Sequence, residues 1–567
     1  MTEQRYTASR KAIGELLSTA RTRIEVPEWQ RSYSWEKEHF EAFWLDIINF
    51  DSLHPQDTIK KEEYFLGAAV LVTGSEVDLL LDGQQRLATA TILLSSLRDA
   101  LAKYNTKADT RLQAKHIADY DDHTEEVSPA LTLNYYDRDY FRSEIQDDSK
   151  SGKMWVQVKY KSHERMRAAR KYFDERISEE EAKCGGGNDA YRRILRIKDV
   201  LLNHVSLVVI ESSDEDNAAT VFETLNDRGI GLSTSDLLRN FLLRTVPRSK
   251  REEVVSAWGS ILETAGESSS KDFLRHFWVS QRGDVKSRRL YREIKDTILA
   301  ENINPLTFSR QLSRGSHIYQ DLVHARDDDE DVQRLLGDIK QLNARMLYPA
   351  LLSGKMIVLD GTSTDEPELT GFFEFVSALL TIFVRHSVVG KRDASELEGV
   401  VYSVAVDLRK NKSFDEAVAT LRKASPSSQQ FQDDFAKVAF KLNGRARYIL
   451  RELEHAKRKT QEVAVEIPSR VHVEHIYPKT PLQGREFPNH EDVVYRLGNL
   501  TLLGKGINVA IKNSSFEEKR LKYKDSDILM TRELLKWDTW TESSIDERQR
   551  QLAELAVEIW KFPSRDA

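Results

Sequence analysis

The N-terminal fold is predicted most clearly by residues 77–89, VDLLLDGQQRLAT. Its first half is apolar and ends at Asp82 and Gly83, and apolar residues then recur with helical spacing over Ala88–Leu101. The preceding run Tyr64–Val72 is also β-like, and only residues 73–76 separate it from Val77–Leu81. The stretch therefore predicts a β-hairpin whose second strand runs into a helix.

The junction between this strand and the helix has the chemistry of an anion site. Glycine allows a tight backbone turn, and a helix N-terminus presents unpaired N–H groups to a ligand. An arginine adds a fork of donors for phosphate oxygens, and an aspartate could bind a metal, a ribose hydroxyl or a water. The alternative is a polar turn without a ligand, and the chain has no Walker A motif. The candidate nucleotide-binding residues here are Asp82, Gly83, Gln84, Gln85, Arg86 and Thr89.

Two further clusters in the first half of the chain combine polar and aromatic residues. In VPEWQRSYSW, residues 26–35, three aromatic residues surround Gln30 and Arg31, a composition that suits base stacking and phosphate contact. An extended structural segment is the alternative. In FETLNDRG, residues 222–229, Asn226 and Arg228 lie in a predicted turn, and Ser233 or Thr234 is expected to cap the next helix. A capped turn without a ligand is the alternative there.

Composition excludes several classes of protein. The chain has 567 residues, enough for about three or four domains, and a net charge of −7, which argues against a wholly basic nucleic-acid binder. Its single cysteine, Cys184, excludes a disulfide framework and a multi-cysteine zinc site. No run of about 18 apolar residues is present and the first residues are polar, so we expect a cytoplasmic protein without a membrane span.

The middle of the chain reads as mostly helical. A charge-rich segment, about residues 116–200, contains a predicted helix Ser162–Glu181, and Val205–Ile210 reads as a buried strand. Helical periodicity then runs over residues 246–460, with predicted breaks at Gly315, 327–331 and Gly361. Residues 437–460 hold eight Lys or Arg and two Glu, a basic stripe that could contact DNA or form an ordinary solvated face. Its candidate DNA-binding residues are Lys457, Arg458 and Lys459.

The last hundred residues carry a second constellation. HVEHIYP, residues 472–478, is followed by LGNLTLL, residues 497–503, and then by Asn508. Phosphodiester hydrolysis needs a base, a cation for the phosphate charge and a group that orients the base. His475 suits the base, Asn499 could hold its imidazole, and Glu474 and Asn508 could bind Mg²⁺, although Glu474 points to the other face of an ideal strand. A satisfied surface histidine is the alternative.

The N-terminal motifs resemble a known family. VPEWQRSYSW, YFLG, LDGQQRLAT and VFETLNDRGIGLSTSDLLRN look like the ordered motifs of the GmrS-type domain, over about 230 residues. The resemblance implies a fold of the ParB and sulfiredoxin group that binds or hydrolyses NTPs. It implies that DGQQR holds the nucleotide phosphates and that Gln30, Arg31, Asn226 and Arg228 line the same pocket.

The C-terminal motifs resemble the HNH, or ββα-metal, nucleases, and more narrowly the GmrD-type domain, over about residues 465–562. The matching tail consists of Asn513, Phe516, Lys519, Trp537, Trp540, Arg548 and Trp560, and we expect its tryptophans to pack in the core. Glu474 stands where many HNH enzymes have Asp.

The two resemblances together imply a GmrSD-family type IV restriction enzyme. The predicted fold class is α+β and predominantly helical: an NTP-binding domain over 1–245 with a helical insertion at about 116–200, a helical region over 246–460 and an HNH domain over 461–567. The implied function is NTP-regulated cleavage of modified phage DNA, such as DNA with glucosylated hydroxymethylcytosine or phosphorothioate. The implied cofactors are Mg²⁺ or Mn²⁺ and an NTP such as GTP or ATP, and the implied partner is double-stranded DNA.

Three alternatives stay open. The chain could be a nucleotide-switched DNA-binding module without modification specificity, or a non-specific HNH nuclease or toxin acting on DNA or RNA. A sulfiredoxin-like redox enzyme would need a reactive thiol, and Cys184 is far in sequence from DGQQR. Because one HNH site cuts one strand, a double-strand break would require a homodimer or two successive cuts.

Overall fold

The computed structural model describes residues 6–53, 62–104, 106–121, 126–148, 156–215, 217–219, 221–222, 233–360, 366–441, 443–458, 470–481, 487–511 and 513–563. These residues form two compact units, 1–251 and 252–567. Most of them lie in helices, with one six-stranded sheet and two strand pairs, which confirms the predicted α+β, predominantly helical class. The ParB-like and HNH assignments of the individual domains stay predictions.

The first unit is built on a mixed six-stranded sheet. The strands of this unit are β1 (Thr7–Ala12), β2 (Arg23–Glu25), β3 (Tyr64–Val72), β4 (Val77–Asp82), β5 (Ala118–Asp121), β6 (Glu126–Pro129), β7 (Leu131–Thr132) and β8 (Val205–Ser212). The strand order in the sheet is β1-β8-β3-β4-β2-β7. β3 and β4 form the predicted antiparallel hairpin, while β4, β2 and β7 run parallel. β5 and β6 form a separate antiparallel pair.

Parallel pairing decides where the N-terminal motifs meet. The carboxyl ends of parallel strands lie at one edge of a sheet, and ligands of α/β sheets bind outside such edges. VPEWQRSYSW follows β2, DGQQR follows β4, and Asn134 follows β7, so all three segments leave the same edge.

Helices pack against this sheet around one apolar core. The helix after DGQQR begins at Gln84, four residues before the predicted start, because Gly83 makes the turn and the QQR residues already lie in the first helical turn. The helices are Ile13–Leu16, Lys37–Leu53, Gln84–Leu101, Ala108–Leu112, Arg138–Phe141, Lys161–Lys183, Gly187–Asp199 and Thr234–Thr245, the last capped by Ser233 as expected.

The second unit begins with stacked helices. One prediction was wrong: Gly315 does not break a helix but lies inside Pro305–His324, where a Cβ would stand 2.7 Å from the Phe277 ring. The glycine permits close helix packing. The helices are Arg251–Arg282, which starts at the unit boundary, and Leu290–Ala300, Pro305–His324, Glu330–Gln341, Tyr348–Asp360, Glu366–Phe383, Ala394–Arg409, Phe414–Ala424, Ser428–Phe435 and Asn443–Arg458.

A strand pair followed by helices completes the second unit. β9 (Val471–His475) pairs antiparallel with β10 (Leu500–Gly504), and the next helix is Lys505–Ile511, so the chain order is ββα. The other helices here are His490–Val493, Phe516–Tyr523, Leu529–Arg532 and Glu542–Ile559. Trp540 and Trp560 are buried, which confirms their predicted core packing.

The predicted boundary at 460/461 falls outside the described residues. Helices before it belong to the same unit as β9 and β10, since the Gln549 side-chain amide donates to the carbonyls of Phe435 and Val438. The division into 1–245, 246–460 and 461–567 stays a prediction.

One segment, Gly371–Val389, is long and apolar enough to cross a membrane. Of its most apolar window of 18 residues, 78% is buried inside the protein, as expected of a core helix. It is weak evidence for a membrane span.

Candidate functional site

The DGQQR turn has the tight backbone geometry that the sequence predicts. Gly83 adopts φ +92° at the start of helix Gln84–Leu101, and a Cβ there would stand 3.0 Å from the Ala69 Cβ. The Gly83 N–H donates to Asp82 Oδ1 at 2.8 Å. Burial raises the pKa of Asp82, while the charges of Arg86 and Arg31 and the Gly83 N–H oppose that rise.

The arginine of this motif lies against a second glycine. The Arg86 guanidinium donates to the Ala68 carbonyl at 3.0 Å and lies over Gly67, whose φ is +128°. A Cβ at position 67 would stand 3.1 Å from Arg86 Nε. The glycine of YFLG therefore makes the space in which the guanidinium lies.

Several residues that are predicted to bind the nucleotide form hydrogen bonds with other groups of the protein. The buried Gln30 side-chain amide donates to the Leu81 carbonyl at 2.9 Å, and Gln85 Oε1 accepts the Ser34 N–H at 2.8 Å. Thr89 is fully buried, and its hydroxyl is hydrogen-bonded to the Tyr33 hydroxyl at 2.8 Å. These groups hold the segment after β2 onto the DGQQR helix.

Two polar atoms at the same edge have no hydrogen-bond partner among the described residues: the buried Arg31 Nε and Gln84 Oε1. Both side chains line a small cavity of about 10 Å³, together with Gln85 and Asp137. That volume suits one water, not a nucleotide. A larger cleft of about 280 Å³ adjoins the cavity and shares Asn134 with it.

The structure therefore brings Asp82, Gly83, Gln84, Gln85, Arg86 and Thr89 together with Gln30 and Arg31. Asn226 and Arg228 lie outside the described residues, so their placement stays a prediction.

The second candidate site lies on β9, where consecutive residues point to opposite faces as expected. Glu474 pairs with Thr501 of β10 and faces Lys519, whereas His475 pairs with Leu500 and contacts the Tyr495 ring. Strand geometry thus separates the two residues of the Glu-His pair.

His475 is buried and neutral near pH 7. Burial, with the charges of Lys479 and Lys519, lowers the pKa of its imidazole to about 4. Its Nε2 is buried without a hydrogen-bond partner among the described residues. A neutral imidazole nitrogen of this kind can accept a proton.

Glu474 is held in a buried ion pair. Lys519 Nζ donates to Glu474 Oε1 at 2.5 Å and to the His475 carbonyl at 2.6 Å, and the Lys519 side chain is 1% exposed. Burial raises the pKa of Glu474 and lowers that of Lys519, and each charge opposes the shift of the other. One ammonium therefore links the Glu474 carboxylate to the backbone of His475.

The Asn499 side-chain amide is hydrogen-bonded to groups other than the His475 imidazole, which it is predicted to hold. Its Oδ1 accepts the Tyr477 N–H at 2.7 Å and the Trp540 indole N–H at 3.0 Å. Its Nδ2 donates to the carbonyls of Tyr477 and Val494. The buried amide is thus fully used in holding the loop after His475.

Asn508 lies half-buried on helix Lys505–Ile511, which packs against β9, and no described residue forms a hydrogen bond with its side-chain amide. No group of three or more His, Cys, Asp or Glu side chains that could hold a metal occurs in the described part of the chain. Mg²⁺ takes oxygen ligands and usually keeps several waters, so the Asn508 amide oxygen and the Glu474 carboxylate are the donors here that could hold it.

The predicted DNA-binding residues at the end of helix Asn443–Arg458 are neutralised. Lys457 pairs with Glu533 at 2.7 Å, and Arg458 pairs with Glu454 at 2.5 Å. Lys459 lies outside the described residues. Two residues of the predicted basic stripe, Lys457 and Arg458, therefore form ion pairs within the protein.

Sequence reasoning did not assign roles to Lys479 and Tyr495, which lie beside His475. Lys479 directly follows the EHIYP motif, so its place in the sequence could have indicated a position near His475. Tyr495 carries no such signal, because its position depends on the loop between β9 and β10.

Two family models match the chain. The GmrSD restriction endonuclease N-terminal domain matches residues 13–243, and the GmrSD restriction endonucleases C-terminal domain matches residues 425–555. No curated protein matches the chain. The two matches contain DGQQR and the segment from β9 to β10 in the expected order. The chain therefore belongs to the GmrSD family of type IV restriction endonucleases, whose substrate is DNA.

Proposed function

We propose that this protein is a cytoplasmic, NTP-regulated and Mg²⁺-dependent endonuclease of the HNH type that cleaves modified foreign DNA in phage defence. Family membership supports the nuclease activity and the DNA substrate. The regulation, the metal and the modification specificity are the finer parts of the proposal.

The observation that carries the proposal is the environment of His475. A neutral imidazole with an unpartnered buried Nε2 lies on the first strand of a ββα arrangement. In the proposed reaction, His475 takes a proton from the attacking water, and the hydroxide adds to phosphorus as the bond to the leaving oxygen breaks.

Three buried side chains position that base. Lys519 holds the His475 carbonyl and the Glu474 carboxylate, while Asn499 fixes the Tyr477 backbone two residues further on. None of the three needs to touch the phosphate. We therefore propose positioning roles for Lys519, Glu474 and Asn499, in place of the direct catalytic and metal roles expected for the last two.

Asn508 is the proposed protein ligand for Mg²⁺ or Mn²⁺, because its half-buried amide has no partner among the described residues. Glu474 would join it only by giving up Lys519. When bound, the cation supplies charge stabilisation for the phosphate.

At the N-terminal edge, the proposed ligand is the triphosphate of an NTP such as GTP or ATP. Arg31 has an unpartnered buried Nε, and Arg86 lies beside the Gly83 turn at the helix N-terminus. Because the small cavity beside Arg31 is water-sized, the base and ribose would occupy the adjoining cleft, which Trp29, Asn134 and Tyr135 line. Arg31 and Arg86 lie outside the lining of that cleft, so the triphosphate would have to extend from it toward them. Specificity for modified DNA rests on the family resemblance alone.

The test is Mg²⁺-dependent cleavage of phage DNA with modified cytosines beside unmodified DNA, with and without each NTP. We compare the wild type with His475→Ala and with His324→Ala, an exposed histidine whose Nδ1 contacts only the Gln320 carbonyl of its own helix. Cleavage confined to modified DNA, lost in His475→Ala and kept in His324→Ala is the expected result. Cleavage that survives His475→Ala would refute the assigned base.

The same experiment separates the alternatives. Equal cutting of both DNAs would indicate a non-specific nuclease, and equal cutting of RNA would indicate a toxin-like enzyme. NTP-dependent DNA binding without cleavage in any condition would favour a nucleotide-switched binding module.

A further inference from the structure

Two lysine side chains lie over the ring of Tyr495, beside the proposed catalytic histidine. Lys479 Nζ lies 5.5 Å and Lys441 Nζ 5.9 Å from the centre of this half-buried ring. The His475 ring meets the same tyrosine edge-on, with 5.9 Å between ring centres. Both lysines are exposed.

The backbone holds these side chains in place. The Phe440 N–H donates to the Tyr495 carbonyl at 2.8 Å, and Ala439 forms an antiparallel bridge with Arg496. Lys441 therefore follows a segment that is hydrogen-bonded to the tyrosine's own backbone.

The other lysine is anchored from the catalytic strand. Lys479 lies two residues after Tyr477, whose N–H and carbonyl are both bonded by the Asn499 amide. The loop that follows His475 at the end of β9 thus carries Lys479, so a ligand bound by this lysine is held in a fixed position relative to the imidazole.

Neither ammonium is neutralised by a carboxylate within the described chain, in contrast to Lys457 and Arg458. Both lie within 6 Å of one ring centre, so they are at most about 12 Å apart. Because phosphates recur regularly along each DNA strand, two ammonium groups this close together can face neighbouring phosphates of one strand.

We infer that Lys441 and Lys479, held over Tyr495, form a phosphate clamp that binds the DNA backbone next to the scissile phosphate. The inference rests on the proposed nuclease function and names residues that place the DNA strand against His475. Lysines suit this task because their charge attracts phosphate without reading the bases.

The test measures binding and cleavage separately. For binding, full-length protein carrying His475→Ala is titrated onto a fluorescein-labelled, unmodified 24-base-pair duplex at several salt concentrations. The double variant Lys441→Ala/Lys479→Ala is compared with Lys423→Ala, an exposed lysine on helix Phe414–Ala424. Each lost phosphate contact lowers the magnitude of the negative slope of log K against log salt by about 0.9, so the double variant should lower that magnitude by about 2 and Lys423→Ala should leave it unchanged.

For cleavage, the same substitutions are made with His475 intact and assayed on the DNA that the wild type cuts. The double variant should raise KM at least tenfold with a smaller change in kcat, and Lys441→Arg/Lys479→Arg should restore most of the affinity. Circular dichroism and thermal melting identify any variant that fails to fold, and Lys441→Gln/Lys479→Gln, which keeps the stems but removes both charges, then gives the test in a folded background.

A salt slope that stays at the wild-type value, with the double variant folded, overturns the inference, as does a wild-type protein that does not bind the duplex. If the slope falls as expected but His475→Ala still cuts DNA, the clamp stands and the proposed catalytic base fails. If His475→Ala abolishes cutting and the slope is unchanged, the proposed function stands and the clamp fails.

Discussion

Replacing Lys519 by methionine tests the buried link between Glu474 and His475. The substitution keeps most of the apolar stem but removes the ammonium, which is bonded to Glu474 Oε1 at 2.5 Å and to the His475 carbonyl at 2.6 Å. Glu474, whose side chain is 9% exposed, then keeps a buried carboxylate without its partner.

The magnitude follows from this geometry. Removing one partner of a buried pair costs about 3–5 kcal/mol, because the remaining charge stays desolvated. Removing the charge from both sides avoids that penalty, so Lys519→Met/Glu474→Gln should recover much of the loss. Lys522→Met provides a matched control, since Lys522 is exposed on the same helix, Phe516–Tyr523.

Calorimetry of the full-length protein measures the transition that contains this unit, and hydrogen exchange reports on the amides of β9 and β10. We expect Lys519→Met to lower the Tm by at least roughly 5 °C and to speed exchange in β9, with little change in Lys522→Met. Cleavage should fall with kcat and not with KM, because the ammonium positions the base and does not contact the phosphate.

Two results would refute this reasoning. One is a Lys519→Met protein whose Tm and exchange match those of Lys522→Met. The other is a double variant whose loss equals the sum of the two single losses, since no coupling between Lys519 and Glu474 would then exist.

Three further predictions concern packing and protonation in the second unit. Gly498→Ala places a Cβ 2.3 Å from the Ile545 carbonyl oxygen, so it should cost about 1–3 kcal/mol of unfolding free energy in chemical denaturation; a neutral result would contradict the close approach. Asn499→Leu leaves the Tyr477 N–H and the Trp540 indole N–H unpaired and should lower both Tm and kcat, and a stable, fully active variant would argue against the proposed positioning role. Burial lowers the pKa of His276 to about 4, so below the unfolded value of 6.5 only the unfolded chain takes up the proton and this histidine should contribute about 2 kcal/mol to the loss of stability from pH 7 to pH 5; thermal melts at both pH values should show a loss that is smaller by about this amount in His276→Gln, and an equal loss in both proteins would contradict the assignment.

The local structure around both motif regions could be predicted from the sequence. Apolar runs and a short turn predict the hairpin of β3 and β4, and alternation along the strand predicts that Glu474 and His475 point to opposite faces. These features depend on periodicity and backbone sterics, which residues a few positions apart determine.

Contacts between residues that are far apart in the sequence could not be predicted from it. The break expected at Gly315 became a helix interior because Phe277, 38 residues earlier, packs against the glycine. Likewise the Asn499 amide is bonded to Trp540 and Tyr477, so an orienting role toward His475 could not be decided from the spacing of EHIYP and LGNLTLL.

The fold class, the order of the two motif sets and the family follow from the sequence, because ordered motifs and periodic patterns are properties of the chain alone. Which charged groups remain free to bind a ligand depends on the tertiary structure. Lys457 and Arg458 are neutralised by Glu533 and Glu454, while Lys441 and Lys479 stand over Tyr495 beside His475. The physical reason is that a charge is free or paired according to its neighbours in space, and the folding of distant segments brings those neighbours together.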